Sequence, residues 1–150
     1  MRSFALWALG VGVGLWIAAL FLAPLCLTSS NRALSFGAAA VYAAGSHICH
    51  QRPERSFHVG GRQMPVCARC TGLYVSAAAG APIAILLAAS LSARRARWML
   101  AAAAAPTLIT WSLEYTGVAH FSNAIRAACA LPLGLAAAWL VISTLRDTMR

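Results

Sequence analysis

An all-α, polytopic membrane bundle of four spans with one short extra helix is what this sequence predicts, and three observations lead there. Hydrophobic residues make up 61% of the 150 and charged residues only 10%, outside the range of soluble globular domains. Apolar runs long enough to cross a hydrocarbon core of about 30 Å recur along the chain. The twelve basic residues, all Arg, fall mostly between and beside those runs and face only Glu54, Glu114 and Asp147. Arginines so placed orient helices and meet anionic lipid headgroups. No basic stripe with interleaved aromatics accompanies the charge, so the partner expected is the lipid bilayer and no nucleic acid. The chain reads as a single integral membrane domain over residues 1–150.

The first apolar run extends from Phe4 to Leu27, about 24 residues, enough to span at 1.5 Å per residue. Arg2 before it imitates a secretory signal. The run exceeds a signal core of about 7–15 residues and no small-x-small cleavage site follows cleanly, so the reading is an uncleaved signal anchor. Gly10, Gly12 and Gly14 leave a small-residue surface for a neighbouring helix. The apolar part of the next segment, Ala33–Ala44, covers only about 18 Å and suits an interfacial or re-entrant helix capped by Ser29, Ser30 or Asn31. Ser46–Pro65 turns polar and is broken by Pro53, Gly60, Gly61 and Pro65, so it reads as a loop. Further spans are expected at about 71–91, 98–118 and 124–145.

Charge then orients the bundle. Arg2, the Arg94-Arg95-Ala96-Arg97 cluster, and Arg146 with Arg150 satisfy the positive-inside rule together if all lie in the cytoplasm. The loop of residues 46–70 then faces outward from the plasma (inner) membrane of a multi-pass protein. Arg52, Arg55, Arg62 and Arg69 stand on the wrong side of that rule and are read as held by structure or ligand.

The chemistry sits in two clusters. Cys49, His50, Cys67 and Cys70 form a ligand set for Zn or another thiophilic metal, with His47 and His58 as alternates. The Cys67-x-x-Cys70 spacing lets both sulfurs reach one ion, and Cys49-His50 arrives across a loop of suitable length. Adjacent Cys49 and His50 are awkward together, because neighbours in an extended segment point opposite ways. Two rival readings stay open: a disulfide from Cys49 to Cys67 or Cys70, and a working dithiol whose thiolate is favoured by Arg69. Cys26 and Cys129 lie in apolar segments and read as core. The second cluster is at the last hairpin, where Glu114 and Arg126 each lie about 6 Å from the joining turn. An unpaired charge within a span costs about 2.5–3.5 kcal/mol, so a Glu114–Arg126 pair is expected. His120, Ser122 and Asn123 crown that turn and, with Gln51, are the expected pocket residues.

Cys49-His50-Gln51 followed by Arg55-Ser56-Phe57, and Val66-Cys67-Ala68-Arg69-Cys70-Thr71-Gly72-Leu73-Tyr74, resemble the signature of a family of small prokaryotic integral membrane proteins catalogued as a domain of unknown function. The resemblance extends to Glu114 and to Ser122-Asn123 with Arg126, covering roughly residues 40–140. Asp is usual in that family where this chain has Glu114, and Gly commonly follows the Arg where this chain has Cys129-Ala130. A membrane location and a shared site are what the resemblance implies.

The function expected is therefore a metal-binding membrane protein with a Cys/His site at the extracytoplasmic membrane edge beside a Glu/Arg pair. As an enzyme it would act on an anionic or lipid-linked substrate, with Glu114, Arg126, Arg55 and Arg69 as candidate catalytic or clamping residues. Otherwise the metal is a structural clip, or the thiols exchange with a disulfide partner. No Gly-rich phosphate loop, Cys-x-x-Cys-His haem motif or paired carboxylates point elsewhere.

Overall fold

The computed structural model describes residues 2–87 and 91–148. Residues 88–90 of the second expected span, and Arg150 of the C-terminal basic pair, lie outside the described residues. The elements in order are α1 (Arg2–Cys26), α2 (Arg32–Ile48), a 3-10 turn (Pro53–Arg55), β1 (Ser56–Val59), β2 (Arg62–Cys67), α3 (Ala68–Leu87), α4 (Ala93–Tyr115) and α5 (Asn123–Thr148). Among the described residues, three stretches are long and apolar enough to cross a membrane: Leu6–Cys26, Ala68–Leu87 and Asn123–Thr148. The remaining expected span, 98–118, falls on α4, which is 23 residues long but is not among these. Its start carries Arg94, Arg95 and Arg97, and Thr107, Thr110, Ser112 and Glu114 dilute its second half.

The expected loop between Ser46 and Pro65 is corrected by the structure, and with it the purely helical fold class. Helix α2, N-capped by Asn31 through a 2.9 Å bond from the Ala33 N–H, runs on through His47 to Ile48. After the 3-10 turn, β1 and β2 pair antiparallel across Gly60-Gly61, whose φ values of 58° and 75° are those a two-residue hairpin turn requires. The register slips between Ser56 and His58, a bulge that accommodates Pro65, which has no N–H to give the ladder.

Two apolar clusters mark opposite ends of the bundle. At one, Leu6 of α1 packs with Ala81, Ala84 and Ile85 of α3 and Ile142 of α5. At the other, Leu20 of α1 packs with Met64 and Val66 of β2, with Trp16, Val41, Cys49, Cys70 and Tyr74 around them. α1 therefore runs antiparallel to α3 and α5, and the hairpin caps the end where α3 and α5 begin. The closest helix approach is between α3 and α5 rather than at the glycines of α1. A Cβ at Gly72 would overlap the Ala127 backbone, and one at Gly134 would overlap Ser76 and the Leu73 carbonyl. Gly72, Ser76 and Gly80 recur every fourth residue, the small-residue spacing that lets helix backbones meet in a membrane. Gly12 and Gly14, by contrast, face open space.

Candidate metal centre

Three elements deliver the sulfurs. Cys49 is the C-cap of α2, its N–H bonded to the Gly45 carbonyl at 2.9 Å. Cys67 ends β2, and Cys70 lies in the first turn of α3. Their Sγ atoms all lie within 4.8 Å of one another, with Cys67 buried and the other two half-buried. Zinc–sulfur bonds of about 2.3 Å in a tetrahedron put sulfurs about 3.8 Å apart, so small side-chain rotations bring the trio onto one ion. The Cys67 N–H also donates to Cys49 Sγ at 3.1 Å. All five cysteines are free thiols, and Cys26 and Cys129 stand outside the trio.

Backbone chemistry fixes where Cys49 goes. Gln51 adopts a left-handed φ of 48°, uncommon for a residue with a Cβ, and turns the chain sharply after α2. Its side-chain amide holds that turn by donating to the Tyr42 carbonyl at 2.9 Å and the Pro65 carbonyl at 2.7 Å. The Tyr42 hydroxyl donates to the Gln63 carbonyl, and Gln63 Nε2 returns a bond to the Gln51 carbonyl. Gly45 makes room for this: a Cβ there would lie 2.5 Å from Pro65 O and 2.9 Å from Gln51 Nε2. Gln51 is thus a strut between α2 and the hairpin. Within the trio, hydrogen bonding from the Cys70 thiol outweighs burial and holds the Cys67 thiol down at about 5, with further help from Cys49 and the nearby His50.

Beside the thiols lies a buried ion cluster. Glu114 receives Arg126 through Nη2 at 2.7 Å and Nε at 2.8 Å on Oε1, and Arg69 through Nη2 at 2.6 Å on Oε2. The Glu114 side chain is only 2% exposed, that of Arg69 13% and that of Arg126 10%. Arg126 Nη1 also donates to the Asn123 side chain at 2.7 Å and the Glu54 carbonyl at 3.2 Å, while Asn123 Nδ2 donates to the Ser56 carbonyl at 2.9 Å. One carboxylate therefore ties α3, α4 and α5 together, and Arg126 with Asn123 fastens the 3-10 turn to them. Sequence reasoning missed the Arg69 arm. Helical spacing was the available signal, because Arg69 and Cys70 in the first turn of α3 project about 100° apart and serve different neighbours.

The other singled-out residues are spread. His50 Nδ1 accepts the Arg52 backbone N–H at 3.1 Å, and the ring lines a separate cavity; among the described residues no histidine joins the three sulfurs within 4.8 Å. His47 lies exposed on the last turn of α2, and His58 is exposed on β1. His120 is exposed at the turn before α5, and Ser122 Oγ accepts the Ile125 N–H at 3.3 Å as a helix cap. Arg55 shares the cavity with His50, Arg52, Trp111 and Tyr115.

Three helices long and apolar enough to cross a membrane, with a three-thiol cluster and a Glu–Arg ion cluster at one end of the bundle, define the class as a helical membrane protein. The chain belongs to the family described as "predicted membrane protein (DUF2085)", whose model matches residues 49–140, from the first cysteine of the trio through most of α5. An uncharacterized protein of Methanothermobacter thermautotrophicus is 34% identical over 94 residues, 63% of this chain and 84% of that one. An uncharacterized protein of Methanocaldococcus jannaschii is 43% identical over 63 residues, 41% of this chain and 40% of that one. No solved structure matches.

Proposed function

We propose that this protein is a membrane metalloprotein that holds one thiophilic ion, zinc foremost, on Cys49, Cys67 and Cys70. The observation that carries the reading is the convergence of three free thiols from α2, β2 and α3 to within 4.8 Å. A thiolate set selects soft or borderline metals. Three protein ligands leave one tetrahedral position for a small exogenous ligand, the arrangement of zinc sites that act rather than merely brace. When bound there, zinc supplies a Lewis acid at the membrane edge. The Cys67 N–H steadies Cys49, and the Gln51 strut ties α2 to β2, the elements that carry Cys49 and Cys67.

The placement in the membrane belongs to the same reading. Arg69 of α3 and Glu114 of α4 touch, so the end of α4 lies beside the start of α3, which supports reading α4 as a fourth span next to α3. Arg94, Arg95, Arg97 and Arg146 then cluster at the end remote from the thiols, which the positive-inside rule assigns to the cytoplasm of a plasma membrane, with the thiols outside.

Metal analysis of the purified full chain tests the centre. About one zinc per chain is expected, with Cys67→Ser and Cys70→Ser each losing most of it. Stoichiometric metal retained in both variants overturns the proposal. A second reading, thiol–disulfide exchange, is favoured by the same closeness of the three free Sγ atoms, within 4.8 Å of one another, with the Cys70 hydrogen bond lowering the Cys67 thiol to about 5. It requires a reversible disulfide in metal-free protein as isolated.

A further inference from the structure

From the cavity lined by His50, Arg52, Arg55, Trp111 and Tyr115 we infer a second site, one that binds a phosphate-bearing anion and is separate from the three thiols. The cavity measures about 300 Å³, the size of a small ligand or lipid headgroup. Its donors are two guanidiniums, the groups that match phosphate oxygens in a fork. The arginines at this end of the bundle divide their labour, Arg62 donating through Nη1 to the Pro24 carbonyl at 3.3 Å. Arg69 and Arg126 pair with Glu114, whereas Arg52 and Arg55 have no carboxylate partner among the described residues. His50 adds a third polar group to the lining, its Nδ1 accepting the Arg52 backbone N–H at 3.1 Å.

The site is built before any ligand arrives. Arg126 holds the Glu54 carbonyl, Asn123 holds the Ser56 carbonyl, and Ser56 Oγ donates to the Arg52 carbonyl at 2.8 Å, so both guanidiniums stem from a turn pinned at either end. The opposite wall is a stacked pair, Trp111 and Tyr115, with ring centroids 5.3 Å apart and planes 17° from parallel. Amphipathic rings of these types occupy the headgroup level of a bilayer and offer flat faces to the organic part of a phosphate ester. Two sources share this chemistry, a soluble phosphate and the headgroup of an anionic phospholipid.

The test uses the full chain in phosphatidylcholine nanodiscs titrated with inorganic phosphate, and in nanodiscs containing phosphatidylglycerol with bound lipid read by native mass spectrometry. Saturable phosphate binding assigns the soluble source, and retained phosphatidylglycerol without phosphate saturation assigns the headgroup. In either case Arg52→Gln/Arg55→Gln weakens binding at least about tenfold. Arg94→Gln/Arg97→Gln, which removes equal charge about 27 Å away at the other end of α4, leaves binding unchanged. Trp111→Leu, which spares the charges, weakens it without altering zinc content. Binding of neither probe, or equal loss in the two arginine double variants, overturns the inference. Zinc content measured on the same samples reads the thiol site independently.

Discussion

Glu114 carries the most concentrated electrostatics at the scale of single residues, since one nearly buried carboxylate answers two guanidiniums and the Phe121 N–H at 3.4 Å. Removing one partner of a buried charge cluster costs more than the cluster's net worth, because the remaining charges stay desolvated and unanswered. Glu114→Gln is therefore expected to destabilise the protein by about 3–5 kcal/mol, read as an earlier unfolding midpoint in mixed micelles. A change within about 0.5 kcal/mol would show that water already screens the arginines. The Glu114–Arg126 proximity was legible because both residues lie one turn from the same hairpin, and local helix geometry sets that distance. The thiol trio was legible too, from a Cys-x-x-Cys spacing plus one distant cysteine. What sequence could not supply was the direction of His50, which depends on the left-handed turn at Gln51, itself set by contacts with Tyr42 and Pro65.

The packing of elements rests on α3 against α5, where Gly72 and Gly134 let backbones touch. Because lipid is as apolar as a leucine side chain, such helices associate through close packing rather than through hydrophobic burial. Gly134→Leu is expected to drive a side chain into Ser76 and Leu73, separate the two helices, and lower the yield of folded protein on size exclusion. Gly12→Leu, facing open space, leaves the elution profile unchanged. An equal effect of the two changes would contradict this packing. Apolar length made α1, α3 and α5 readable, but it cannot say which small residues meet. The hairpin carried a local signal, Gly60-Gly61 between Phe57-His58-Val59 and Arg62-Gln63-Met64, that a polarity reading of the segment obscures. The extent of α2 past Gly45 was not local, since its last turn is anchored by the hairpin that follows.

At the scale of the whole molecule, the hairpin, the thiols and the Glu–Arg cluster gather at one end of the bundle, and Arg94–Arg97 with Arg146 gather at the other. With the basic end in the cytoplasm, a membrane-impermeant thiol reagent is expected to reach Cys49 from outside intact cells once metal is stripped by a chelator. Labelling only after the cytoplasmic face is opened would reverse the orientation. The proposed metal centre stands or falls on three thiolates sharing one ion. X-ray absorption at the zinc edge of the purified full chain measures that directly, and the expected shell is three sulfurs at about 2.3 Å with one lighter nitrogen or oxygen neighbour. A shell of nitrogen and oxygen alone, or protein purified without a bound metal edge, would contradict it.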